Sequence, residues 1–87
     1  MKIGITVEEP NPDAKVGQRF GLSEYLMIVD SETLSIKMVP CEEENTGRQS
    51  GIQMVILAIS HNVKMVITGY ISPTAEKYLI ENGIKVV

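Results

Sequence analysis

Val63-Lys64-Met65-Val66-Ile67-Thr68-Gly69, then Tyr70-Ile71-Ser72-Pro73-Thr74-Ala75, and finally Gly83-Ile84-Lys85-Val86-Val87, decide the fold of this 87-residue chain. The first run is short, apolar and rich in β-branched residues, and Gly69 ends it, as expected of a buried strand. Ser72 offers a side-chain oxygen to the free amides of a helix start, and Pro73 suits the first helical position. Gly83 suits the left-handed residue just past the last turn. A second apolar run closes the chain. Strand, helix and strand in this order form a βαβ unit, which requires a parallel pair of strands. The loop after its first strand lies where such sheets usually bind ligands.

Outward from that unit, residues 2–7 alternate, with Ile3, Ile5 and Val7 on one side and Gly4 and Thr6 on the other, as a strand does. Residues 8–17 hold Pro10, Asn11, Pro12 and Asp13 and read as a loop. Residues 25–29 and 34–38 read as two strands around the hairpin turn Asp30-Ser31-Glu32-Thr33. The polar, acidic stretch 40–47 leads to a helix over 48–61, whose Ile52, Val55, Ile56 and Ile59 recur at helical spacing. The order is β-β-β-α-β-α-β, an α/β domain spanning residues 1–87 with a mixed sheet.

Composition narrows the function classes. A net charge of −3 and eight scattered Lys and Arg residues argue against nucleic acid, since phosphate neutralisation needs clustered cations. The longest apolar run, 55–59, is far too short to span a bilayer, and the N-terminus lacks a signal-peptide pattern. One cysteine rules out an internal disulfide and fits a reducing cytoplasm.

Arg19-Phe20-Gly21 before the second strand, paired with a later strand, Gly69-x-x-Ser72-Pro73-x-Ala75 and a helix, resembles the dinitrogenase iron–molybdenum cofactor biosynthesis family. The resemblance covers nearly the whole chain. It implies a ribonuclease-H-like fold with a five-stranded sheet in the order 3-2-1-4-5, the second strand antiparallel. Both crossovers then move the same way across the sheet, and because such connections are right-handed, both helices share one face. Ile3, Ile5, Leu34, Ile36, Met38, Met65, Ile67, Ile84 and Val86 are expected under the helices. Gly4, Thr6, Ser35, Lys37, Lys64 and Thr68 are expected opposite, around Tyr25, Met27, Val29 and Val66. Relatives continue into a further helix, so the chain reads either as a short member or as a piece of a longer one, and the uncovered face favours a homodimer.

The resemblance also implies a cofactor-binding role for Arg19, Phe20, Gly21, Gly47, Gly69 and Ser72, and a metal–sulfur cluster of iron–sulfur or iron–molybdenum type as the ligand. Relatives that bind clusters often carry a histidine before Phe-Gly. Arg19 has no lone pair for a metal and instead suits an anionic cluster or a carboxylate. The alternative makes Phe20 a core anchor, Gly21 a turn residue and Arg19 a solvated charge. Cys41, the sole thiol, is the candidate metal ligand, although Glu42, Glu43 and Glu44 beside it disfavour the thiolate. Catalysis is not expected. The first strand has no acid for a two-metal nuclease, and neither a Ser/His/Asp set nor a phosphate loop is present. The expected function is a non-enzymatic carrier that passes its cluster between donor and acceptor proteins. The alternative is an interaction module that keeps the fold without a cofactor.

Overall fold

The computed structural model describes residues 1–41 and 50–87. Strand β1 (Lys2–Val7) lies at the middle of a five-stranded sheet ordered β3-β2-β1-β4-β5. It pairs antiparallel with β2 (Tyr25–Asp30) and parallel with β4 (Val63–Ile67). Strand β3 (Ile36–Pro40) forms one edge, antiparallel to β2, and β5 (Lys85–Val86) forms the other, parallel to β4. Helix α1 (Ser50–Ser60) connects β3 to β4, and α2 (Pro73–Glu81) connects β4 to β5. The order, the reversed second strand and the two helices are those expected from the sequence. Among the described residues no helix is long and apolar enough to cross a membrane.

The assignment of the faces needs correction. Residues directly opposite one another in a ladder share a face. Gly4 pairs with Ile28 and Val66, Thr6 with Leu26, and Leu26 with Val39. Leu26, Ile28, Val39 and Val66 are buried in one cluster with Met54, Val55 and Ala58 of α1 and Ala75 and Leu79 of α2. The helices therefore cover the Gly4 side, and Val66 belongs beneath them rather than on the open side. A side chain at Gly4 would press within 3.1 Å of Leu26 and 3.2 Å of Val63, so the absent Cβ makes room for the core. Ile3 and Ile5 lie opposite Val29 and Met27, and Met65 and Ile67 lie beside Ile3 and Ile5, all on the face opposite α1 and α2. Ile36 and Met38 join them through their pairing with Val29 and Met27. Tyr25, Met27 and Val29 do lie on the open face, as expected, and Ile84 and Val86 pack with the core.

Two local expectations also change. Leu34 is not a strand residue: it closes the hairpin at φ 64°, its amide donating to the Asp30 carbonyl, with 74% of its surface exposed. In α1 the buried stripe is Met54, Val55 and Ala58, while Ile56 and Ile59 are exposed. The helix is apolar almost all round, so spacing alone fits either stripe. Small Ala58 against the sheet and Gly51 facing Ala75 permit the closer approach.

Candidate functional site at the carboxyl ends of the parallel strands

Because β1 and β4 are parallel neighbours, the loops that leave their carboxyl ends emerge side by side. Below them, the hydroxyls of Thr6 and Thr68 lie 2.7 Å apart, with Thr6 wholly buried, which extends the β1–β4 contact beyond the backbone ladder. Above them, the two loops are laced together through the main chain. Gly69 donates its amide to the Gly17 carbonyl at 3.0 Å, Tyr70 donates to Gln18 at 2.7 Å, and Phe20 donates to Tyr70 at 2.8 Å. Gly17 in turn donates to the Thr6 carbonyl. This lacing brings Arg19 and Tyr70 into register as paired residues.

Phe20 opens a single 3₁₀ turn (Phe20–Leu22) that packs on α1, and its ring is fully buried in the core cluster. The ring anchors the loop, and its neighbours stay at the surface: Arg19 is exposed and Gly21 half-buried. Ser23, itself buried, donates its hydroxyl to the Arg19 carbonyl at 2.7 Å and has the Glu8 carboxylate at 3.4 Å. The backbone of Arg19 is thus fixed on two sides, while its guanidinium forms no ion pair or hydrogen bond with a described residue. An unpaired guanidinium is the group best suited to a bidentate anion.

Gly69 sits here for a reason independent of any ligand. A Cβ at this position would fall 2.7 Å from the carbonyl carbon of Gln18 and 2.8 Å from its Cα. The two loops could not then close on each other. Ser72 caps α2, its hydroxyl accepting the Ala75 amide at 3.2 Å, while the Glu76 amide donates to the Ser72 carbonyl. Pro73 has no amide to offer, and Glu76 adds negative charge to the first turn. The start of α2 is therefore a poor anion seat: the Ala75 and Glu76 amides are engaged and the local field is offset.

Cys41 follows the last residue of β3, half-buried against the core, its amide donating to the Glu24 carbonyl. It lies at the same end of the sheet as Gly69, but β2 and β1 stand between β3 and β4. At the usual strand spacing this is a separation of roughly 14 Å. Cys41 and Gly69 are thus not brought into one first contact shell. Gly47 lies outside the described residues. Among the described residues no group of three or more His, Cys, Asp or Glu side chains is placed to hold a metal ion.

The loop between β1 and the 3₁₀ turn also walls a cleft of about 650 Å³. Glu8, Glu9 and Asp13 line it, with Lys15 the single cation and Gln18 at its border with the laced loops. Three carboxylates against one ammonium make the cleft unfavourable for an anion. Pro and Asn spacing announced the loop, but only the fold shows that it encloses space.

The geometry defines a small α/β domain with a mixed five-stranded sheet in the order β3-β2-β1-β4-β5. The chain belongs to the dinitrogenase iron–molybdenum cofactor family, whose model matches residues 1–87. The apo orange protein of Desulfovibrio gigas superposes with a TM-score of 0.86 and 28% identity, over 98% of this chain and 72% of its own. A NifB-type protein from Thermotoga superposes at 0.77 with 24% identity, over 98% of this chain and 72% of its own. A dinitrogenase-type protein from Methanocaldococcus jannaschii superposes at 0.65 with 21% identity, over 99% of this chain and 72% of its own. The last two likenesses speak to the fold alone. No curated protein matches the chain.

Proposed function

We propose that this domain is a non-enzymatic carrier of an anionic metal–sulfur cluster, of iron–sulfur or iron–molybdenum type, in nitrogenase-related cofactor handling. The carrying observation is the unpaired guanidinium of Arg19, held at the ligand edge by the lacing of residues 17–20 to Gly69 and Tyr70. Family membership supplies the class of cargo. Thiolate-ligated clusters ordinarily take four cysteines, whereas this chain has one, half-buried and distant from Gly69. The donor set therefore suits a cluster carried as an anion and released readily, which is what delivery between a donor and an acceptor protein requires. Phe20, Gly69 and Ser72 contribute by positioning: ring anchor, close-approach point and helix cap. Gly21 borders the cargo, Gly47 remains a candidate from sequence, and Cys41, three strands away from Gly69, stands apart from this edge. Such cargo is oxygen-sensitive, so the reducing cytoplasm is the matching compartment.

Amide chemical-shift mapping under anaerobic conditions tests this reading. Addition of an iron–sulfur cluster preformed from ferrous iron and sulfide should move the signals of Arg19, Gly21 and Gly69. Arg19→Ala should weaken the response at least tenfold and Arg19→Lys less, because the ammonium keeps the charge and loses the fork. Shifts absent from this edge at millimolar cluster would refute it. The second reading, an interaction module without a cofactor, is favoured by one observation. Phe20 and Ser72, two of the motif residues, are fully accounted for by core packing and capping.

A further inference from the structure

We propose that Asn82-Gly83, the turn that closes α2, is a site of spontaneous covalent modification, held in check by the folded cap until that turn opens. The Gly83 amide attacks the Asn82 carboxamide, and the succinimide so formed is opened by water to aspartate or isoaspartate. The proposal stands on this turn alone and does not depend on any cargo.

The pair suits the reaction. Both residues are exposed, so water reaches them. Gly83 has no side chain to crowd its nitrogen, and nothing lies within 4 Å of the place a Cβ would take. The other asparagines are worse placed: Asn11 precedes Pro12, whose nitrogen carries no proton, and Asn45 and Asn62 precede the β-branched Thr46 and Val63. In the first step the Gly83 nitrogen bonds to Cγ of Asn82 and the Cγ–Nδ2 bond breaks. Ammonia leaves with the proton that the Gly83 nitrogen gives up. Water then adds to one of the two imide carbonyls. Opening at Cγ yields aspartate, and opening at the main-chain carbonyl yields isoaspartate, whose chain runs through Cβ. Water is the only reagent consumed.

The folded turn opposes this chemistry at three points. The Gly83 amide donates to the Ile80 carbonyl at 3.0 Å and is not free to attack. Nδ2 of Asn82 donates to the Tyr78 carbonyl at 2.8 Å, which ties the leaving group to the helix. The third point is torsional. Closing a five-membered ring needs Cβ of Asn82 nearly eclipsed with the Gly83 nitrogen about the Cα–C bond. At ψ 18° the amide nitrogen of Asn82 occupies that position instead. Unwinding the last turn of α2 releases all three together. Such opening is local, because β5 is two residues long and pairs only with β4, at the edge of the sheet.

Conversion also weakens the turn. Either product places a carboxylate at the C-terminal end of α2, against the helix dipole, and removes the donor to Tyr78. Isoaspartate further adds a main-chain carbon just before Gly83 and the buried core residue Ile84. A molecule that has opened is thus marked, and closes less well.

The full chain is incubated at mildly alkaline pH, folded in one arm and unfolded in guanidinium chloride in the other. Peptide mass spectrometry reads the exchange of amide for acid, and enzymatic methylation labels isoaspartate. Residue 82 should convert at least tenfold faster in the unfolded arm, with Asn62 as the slow internal reference. Asn82→Gln should remove both signals. Ile84→Ala loosens the turn and should speed conversion of the folded chain more than Val39→Ala, a core truncation at the opposite edge. Absence of isoaspartate at residue 82 in the unfolded arm, equal rates in the two arms, or equal acceleration by the two truncations would each overturn the proposal.

Discussion

Gly69→Ala adds one methyl group at the point where the loop after β4 meets the loop after β1. Gly69 does not have a positive φ, so the backbone there suits an alanine. With open space around it, the substitution would stabilise the protein by about 0.4–1 kcal/mol through the unfolded chain. The added carbon would instead meet Gln18 main-chain atoms at 2.7 and 2.8 Å, and main chain cannot rotate away as a side chain can. To relieve that contact the loops must part. The bonds from Gly69 to Gly17, from Tyr70 to Gln18 and from Phe20 to Tyr70 then weaken together. Each contributes a net of about 1 kcal/mol, and overpacking alone costs about 1–3 kcal/mol. We therefore expect a net loss of about 2–4 kcal/mol. In a domain of this size that lowers the melting temperature by about 10–30 °C. Urea denaturation followed by circular dichroism gives the magnitude, and the amide signals of Gln18 and Tyr70 report whether the lacing opened. The sign decides the issue. A Gly69→Ala protein as stable as the parent or more so, with those amides unmoved, would show that the loops do not touch as described.

Four substitutions elsewhere have defined outcomes. Ser72→Ala removes the acceptor for the Ala75 amide and should cost about 1 kcal/mol, while Gly83→Val, at φ 77° with open space around the site, should cost more through backbone strain alone; denaturant midpoints measure both. Leu34→Gly should raise the melting temperature, because Leu34 holds φ 64° on an exposed turn where glycine carries no strain; no change would place the strain elsewhere. The Asp30 carboxyl is held below its ordinary value of 3.8 by the Glu32 amide first and the Thr33 amide second. Its folded pKa is the lower one, so its contribution is present above the ordinary value and is lost as pH falls through the folded pKa. The stability gap between the parent and Asp30→Asn should thus narrow on acidification below 3.8, as read from urea midpoints across pH; a gap that widens there would reverse the sign.

The topology could be read because its punctuation is local. Ser72, Pro73 and Gly83 mark α2 by their own backbone chemistry, and the cap and the positive φ are both present. The faces could not be read in the same way. Alternation separates Ile3 and Ile5 from Gly4 and Thr6 but does not say which set meets the helices. Strand β2 is apolar at both parities, so Leu26 and Ile28 gave no stronger signal than Met27 and Val29. The more apolar side of β1 points away from the helices, and Gly4 stands on the helix side because the packing there needs the space. At the laced loops, Arg19, Phe20, Gly21 and Gly69 stand out in the sequence through their motif. Gly17, Gln18 and Tyr70 were missed because they act through main-chain bonds that any residue type can make. Ser23 was missed too: its buried hydroxyl holds Arg19 from four residues away, a contact without a sequence signature.

Iron and sulfide analysis after anaerobic reconstitution, with unbound reagents removed by size exclusion, tests the central claim most directly. A carrier should emerge with iron and sulfide bound in a fixed ratio and with visible absorption, and Arg19→Ala should lose most of both. An iron-free, colourless protein from the unmutated chain, still folded by circular dichroism, would contradict the assignment of a cluster to this domain.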